Sequence, residues 1–263
     1  ASLLAQAAHA AEIGPADDIE TAVAALSPGD ELILRGGTYL FNENITLRAN
    51  GTADQPIVIR AKDGEQPILT QATNQQNVVE INGSSYLAIR GLEFTGGSHG
   101  IRLMNSNHIT IEGCEIHETG DVAISANSGG TYEGLQILRN HIHHTNGTGE
   151  GMYLGCNNDG CRIANSLIEG NYIHHTNRST VSLGDGIEIK EGSYGNVVRD
   201  NVIHDTKYPG ILVYSTVGNG PANVIERNVV WNVWDNTIQM AADVVFRNNI
   251  ILGNVALQSH QSG

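Results

Sequence analysis

Glu169-Gly-Asn-Tyr-Ile-His-His-Thr176, Arg199-Asp-Asn-Val-Ile-His-Asp-Thr206 and Arg227-Asn-Val-Val-Trp231 are one phrase written three times. Its asparagine recurs at Asn140, Asn171, Asn201, Asn228 and Asn249, at intervals of 31, 30, 27 and 21 residues. Towards the N-terminus the phrase continues with the asparagine replaced, as Cys114-Glu-Ile-His117 and Leu92-Glu-Phe-Thr95. A repeat of this length, built from short alternating strands and Gly/Asn turns, implies β coils stacked in a solenoid. Equivalent residues of successive coils then form columns. A buried asparagine column is self-consistent, because each amide can bond a turn carbonyl and the next asparagine.

A second strand family aligns beside the first: Gly100-Ile-Arg-Leu103, Ala123-Ile-Ser-Ala126, Gly151-Met-Tyr-Leu154, Gly186-Ile-Glu-Ile189, Gly210-Ile-Leu-Val213 and Thr237-Ile-Gln-Met240. Strand alternation turns Ile101, Ile124, Met152, Ile187, Ile211 and Ile238 inward. Two outward columns follow. One reads Arg102, Ser125, Tyr153, Glu188, Leu212, Gln239; the other reads Met104, Asn127, Gly155, Lys190, Tyr214, Ala241. His99, Glu150, Asp185, Pro209 and Asn236 lie just ahead of these strands. Glu150, Asp185, Glu188, Lys190, Tyr153 and Tyr214 are therefore expected on one face within two or three coils.

Composition narrows the class. The 263 residues include 31 glycines and only 5% aromatics, which suits many short strands and tight turns. A net charge of −14 excludes the basic face of a nucleic-acid binder, and binding an anionic polymer then needs a cation or a local basic cluster. No apolar run is long enough to span a membrane. Ala8-His9-Ala10 fits a small-x-small cleavage site, so residues 1–10 read as a secretory signal-peptide remnant and 11–263 as a single β-helix domain. Cys156 and Cys161 can close a small disulfide loop, as in an exported protein, while Cys114 takes an asparagine-column position as a small buried side chain. Residues 17–26 read as a short helix, with Asp17 and Glu20 as a capping box, placed to cover the open end of the solenoid. The repeat runs almost to the C-terminus with no second cap, so the natural chain is expected to continue or to be covered there by another element.

Asp18-Ile-Glu-Thr-Ala-Val-Ala-Ala-Leu-Ser-Pro-Gly-Asp-Glu-Leu-Ile-Leu-Arg-Gly-Gly-Thr-Tyr39 resembles the N-terminal cap and first coil of the pectate-lyase-like superfamily. Gly51-Thr-Ala-Asp-Gln-Pro-Ile-Val-Ile-Arg-Ala61 is similar to a phrase of its alginate lyase and chondroitinase B branch. The resemblance implies an all-β, right-handed parallel β-helix with a short N-terminal capping helix. It also implies a secreted, monomeric polysaccharide lyase that cleaves an acidic, uronic-acid polysaccharide by β-elimination. Such a reaction removes the proton α to a carboxylate, so the carboxylate's charge must first be neutralised. Ca²⁺ on Asp/Glu oxygens can do this, and a lysine with a lowered pKa can take the proton. By resemblance Lys190 is the base, assisted by Glu188. Glu150, Asp185 and Glu188 hold Ca²⁺, and Tyr153, Tyr214, Arg102 and Trp231 contact sugar. Gly186–Asn196 matches the branch's acid, lysine and arginine pattern only loosely. Fold does not dictate chemistry, so two readings stand beside the lyase. One is a non-catalytic carbohydrate-binding or structural β-helix; the other is a uronate epimerase or a glycoside hydrolase, the latter with an acid pair drawn from Asp121, Glu150 and Asp185.

One further column is histidine. His117, His143, His174 and His204 follow the inward isoleucine of each coil, so they face outward and stack, with Trp231 above and His144 and His175 adjacent. Without the ligand spacing of a known metal site, a solvent-facing ladder is the expectation.

Overall fold

The computed structural model describes residues 9–258; of the proposed signal-peptide remnant, residues 1–8 lie outside it, and Ala10 already opens a strand. Three long sheets run the length of the molecule, of ten, nine and nine strands, and every pairing within them is parallel. Each coil contributes one strand to each sheet. In the coil that starts at Ile124 these are Ile124–Ala126, Gln136–Leu138 and His141–His143, after which Met152–Leu154 begins the next coil. We call the three faces, in that order, the acid sheet, the ion-pair sheet and the histidine sheet.

The registers are those the columns require. Ile101 pairs with Ile124, then Met152, Ile187, Ile211 and Ile238, and all six are fully buried. Burying each isoleucine is worth about 1.5–3 kcal/mol, so the stacked interior columns supply the driving force that a single coil lacks.

The asparagine column marks the corner between the ion-pair and histidine sheets. The residue ahead of each corner asparagine is left-handed: Arg139 (φ 53°), Asp200 (φ 56°), Arg227 (φ 56°) and Asn248 (φ 58°), with Gly170 (φ 67°) at the remaining position. A non-glycine residue adopts this conformation at a cost, and the ladder offsets it. Asn171 shows how. Its Nδ2 donates to the Ile137 carbonyl and to Asn201 Oδ1, both at 2.9 Å. Its Oδ1 accepts from the Asn140 backbone N–H and side-chain Nδ2, both at 3.0 Å. Cys114 ends the column, its N–H bonded to Asn140 Oδ1 at 3.0 Å and its thiol buried. A second ladder runs along the corner between the acid and ion-pair sheets, where the Ser166 N–H donates to Asn196 Oδ1 and the Asn196 N–H to Asn223 Oδ1. It escapes the sequence pattern because serine gives way to asparagine along it.

The ladder makes a prediction. Asn171→Ala strands several buried polar groups at once, each costing about 1–3 kcal/mol. We expect a loss of roughly 3–5 kcal/mol in chemical denaturation. Asn249→Ala, at the partly exposed end of the column, is expected to cost less than half of that. Equal losses at the two positions would refute the cooperative ladder.

The helix is real but shorter than expected, Ile19–Ala24, with Ile19 and Val23 buried against the solenoid. Its N-cap is Asp18, which accepts from the Thr21 N–H at 2.9 Å, rather than Asp17. Asp17 instead accepts from the Gly14 N–H, and Glu20 reaches the Thr46 N–H of the neighbouring coil. The helix does not begin the fold: strand Ala10–Ile13 precedes it and pairs with Glu31–Leu34. Gly37–Phe41 is a strand of the histidine sheet. Cys156 and Cys161 form the expected disulfide. Among the described residues no helix is long and apolar enough to cross a membrane.

Candidate functional site

The acid sheet places Tyr153 beside Glu188 in adjacent strands, and Lys190 and Tyr214 follow one step further along. Strand pleating turns all four to the outer face. Glu150 and Asp185 enter from the turns just ahead of Met152–Leu154 and Ile187–Ile189, where backbone bonds from Ala123 to Glu150 and from Gly151 to Asp185 keep them in register. One oxygen from each of Glu150, Asp185 and Glu188 lies within 4.8 Å of the others.

These residues are on the outer face but are not solvated. Glu150, Asp185, Glu188 and Lys190 are 1%, 3%, 4% and 7% exposed. An ordinary surface ion-pair cluster is thereby excluded. Lys190 Nζ bonds Glu188 Oε1 and lies 4.5 Å from the Tyr153 ring centre and 5.1 Å from that of Tyr214. Two rings and a carboxylate thus clamp one ammonium. The Thr148 hydroxyl stands 2.5 Å from Glu150 Oε2, a contact that no spacing rule pointed to.

Burial, followed by the charges of Glu188 and Glu150, pushes the Asp185 carboxyl up to about 8. Burial also raises Glu150 and Glu188, the latter against the pull of Lys190. Lys190 corrects an expectation. Burial draws its pKa down, but the Glu188 carboxylate and the two tyrosines outweigh burial and leave it raised. Lys190 is bonded to Glu188, whose carboxylate favours the ammonium form.

Unsatisfied polar atoms locate the site independently. Among the described residues, the buried side-chain atoms without a hydrogen-bond partner are His99 Nδ1, Arg102 Nε, Ser125 Oγ, Asn127 Oδ1, Glu150 Oε1 and Asp185 Oδ1. Every one belongs to the acid sheet or to a turn flanking its strands. Native interiors rarely leave such atoms unpaired without a ligand or water to meet them. Glu150 and Asp185 each keep one buried oxygen without a partner, and three carboxylates gather beside one ammonium. That surplus of negative, all-oxygen donors fits a hard divalent cation.

Arg102 belongs to this face but lies three strands from Glu188, about 14 Å at the usual strand spacing. Trp231 does not join it. It is on the histidine sheet, its ring stacked on His204 at 4.4 Å.

Comparison with known proteins follows the same lines. The family model "Pel9A-like, right handed beta helix region" matches residues 4–220. Pectate lyase L of Paenibacillus polymyxa (strain SC2) is 26% identical over 93% of this chain, which spans 54% of that protein. Pectate lyase PEL9 of Emericella nidulans is 31% identical over 36% of the chain and 27% of its own length. The chain therefore spans about half or less of these curated relatives. An alginate lyase from Paenibacillus sp. str. FPU-7 superposes with a TM-score of 0.69 at 22% identity, over 96% of this chain and 98% of that one. The pectate lyase Pel9A superposes with a TM-score of 0.65 at 17% identity, over 96% and 78%. At these identities the superpositions establish the fold.

Proposed function

Because this chain belongs to the Pel9A-like right-handed β-helix family, we propose that it is an exported polysaccharide lyase acting on a uronic-acid polymer, with pectate as the first substrate to test. The carrying observation is the buried triad of Glu150, Asp185 and Glu188, with its unpaired oxygens, around Lys190. The pectate lyase names of the curated relatives favour pectate, and the Cys156–Cys161 disulfide suits an oxidising compartment.

Glu150, Asp185 and Glu188 are the residues that would hold Ca²⁺. When bound there it would supply positive charge against the substrate's carboxylate and compete with Lys190 for Glu188. The remaining work falls to the chain's own side chains. Lys190, freed of its proton, takes the hydrogen from the carbon α to the uronate carboxylate. The bond from the neighbouring carbon to the glycosidic oxygen then breaks, a carbon–carbon double bond forms, and the departing oxygen takes a proton from water. Tyr153 and Tyr214 fix the amine by their ring faces and keep bulk water from it. Arg102, several strands away, would receive the carboxylate of another sugar unit.

The test is ultraviolet absorbance of unsaturated uronides, with pectate, alginate and glycosaminoglycans, in Ca²⁺ and in chelator. We expect absorbance to rise on pectate, to stop in chelator and to resume when Ca²⁺ is restored. Reducing ends released without a double bond would overturn elimination in favour of hydrolysis. Full activity in chelator would remove the cation from the mechanism.

A further inference from the structure

We propose that the histidine sheet carries a second metal site, for a first-row divalent transition ion such as Zn²⁺, formed by Glu115, His141 and His143. It shares no residue with the acid triad and is independent of the lyase reading.

Glu115 and His141 are direct partners in adjacent strands, and His143 is two residues beyond His141, so alternation turns all three outward. One donor atom from each lies within 4.8 Å of the other two. Glu115 Oε1 is 3.1 Å from His143 Nε2 and 3.6 Å from His141 Nδ1. Metal–nitrogen and metal–oxygen bonds of about 2.0–2.1 Å imply ligand–ligand edges of about 3.0–3.4 Å. Both distances from Glu115 are therefore already near the spacing an ion needs, and the third pair of donors stays within 4.8 Å.

A ligand histidine normally donates its far N–H to a fixed acceptor, and both histidines have one. His143 Nδ1 is 2.7 Å from His144 Nδ1, and His141 Nε2 is 2.9 Å from His174 Nε2. The relay continues from His174 Nδ1 to His175 Nδ1 at 2.6 Å. One tautomer set satisfies every contact between the imidazoles, and it leaves acceptors facing Glu115, so that the 3.1 Å contact of His143 Nε2 with Glu115 Oε1 needs a shared cation or proton. His143 donates to His144, His141 to His174 and His174 to His175, leaving His143 Nε2 and His141 Nδ1 as lone pairs towards Glu115. The left-handed backbone of His144 (φ 57°) and His175 (φ 56°) brings their rings edge-on to the column, as this relay requires. The side chains of His141 and Glu115 are 40% and 39% exposed, so an ion has an entry path and room for water ligands. Two imidazoles and one carboxylate select a transition ion over Ca²⁺, whereas the acid triad offers oxygen alone.

The test is calorimetric titration with Zn²⁺, together with the visible spectrum of the Co²⁺-loaded protein. It is made in the Asp185→Asn background so that the acid triad does not contribute. We expect one saturable equivalent and ligand-field bands that report nitrogen donors. His141→Gln, His143→Gln and Glu115→Gln should each weaken binding about tenfold or more. Thermal denaturation supplies a second readout: Zn²⁺ should raise Tm in the parent and not in the three variants. Absence of saturable binding in the parent would overturn the site, leaving a hydrogen-bonded histidine ladder. Binding untouched by the three substitutions would overturn it equally.

Discussion

Lys190→Met is expected to slow elimination about 10²–10⁴-fold, the contribution of a positioned general base. The structure makes the choice of substitution matter. Lys190 is the ammonium among three buried carboxylates, so removing it leaves Glu188 buried and uncompensated. A truncation to alanine would therefore mix loss of the base with loss of stability. Methionine preserves the stem between Tyr153 and Tyr214, and Ca²⁺ in the assay supplies the missing charge. Lys190→Arg completes the pair. It keeps the positive charge, but a guanidinium with a pKa above about 12 does not give up its proton at neutral pH. Both variants should lose kcat while retaining the circular dichroism of the parent. Turnover at the parental rate by either one would rule out Lys190 as the base.

Asp185→Asn should separate stability from function. The folded pKa of about 8 lies above the unfolded value of about 3.9. The folded state therefore holds a proton that the unfolded chain has released. The associated stability is full below about pH 4 and is lost as pH rises through about 8. An amide does not titrate. In chelator above pH 8 the variant should thus be more stable than the parent, by the order of 1–3 kcal/mol, the penalty of an unpaired buried polar group. Near pH 4 the difference should vanish. In Ca²⁺ the order should reverse, because only the parent gains from the ion. Activity should fall at least about 100-fold. A variant less stable than the parent in chelator at pH 8.5 would show that Asp185 is not strained in the free protein.

The columns that bring these side chains together are legible in the sequence. The solenoid period aligned Tyr153, Glu188 and Leu212, and Lys190 with Tyr214, because a parallel sheet in which residue pairs with equivalent residue preserves sequence register. The same logic stacked His117, His143, His174 and His204. Periodicity did not reveal the second ladder at Ser166, Asn196 and Asn223, since its members differ in type while sharing a backbone role. Nor did it reveal Thr148, which reaches Glu150 from a turn outside the repeat.

What the sequence by itself determined is the column each residue occupies: the repeat period and strand alternation decide facing, and facing is a local property. Only the tertiary structure decided the environment of those columns. Glu188 and Lys190 are outward by alternation, and Glu150 and Asp185 enter from the turns ahead of the strands, yet all four are almost wholly buried, with Lys190 held against the rings of Tyr153 and Tyr214. Trp231 stacks on His204, where its place in the histidine column puts it, away from the acid sheet whose sugar-contacting role it was expected to share. Facing follows from neighbours along the chain. Burial, charge balance and the joining of Glu115 to His141 and His143 depend on residues a full coil or more away, which no local pattern encodes.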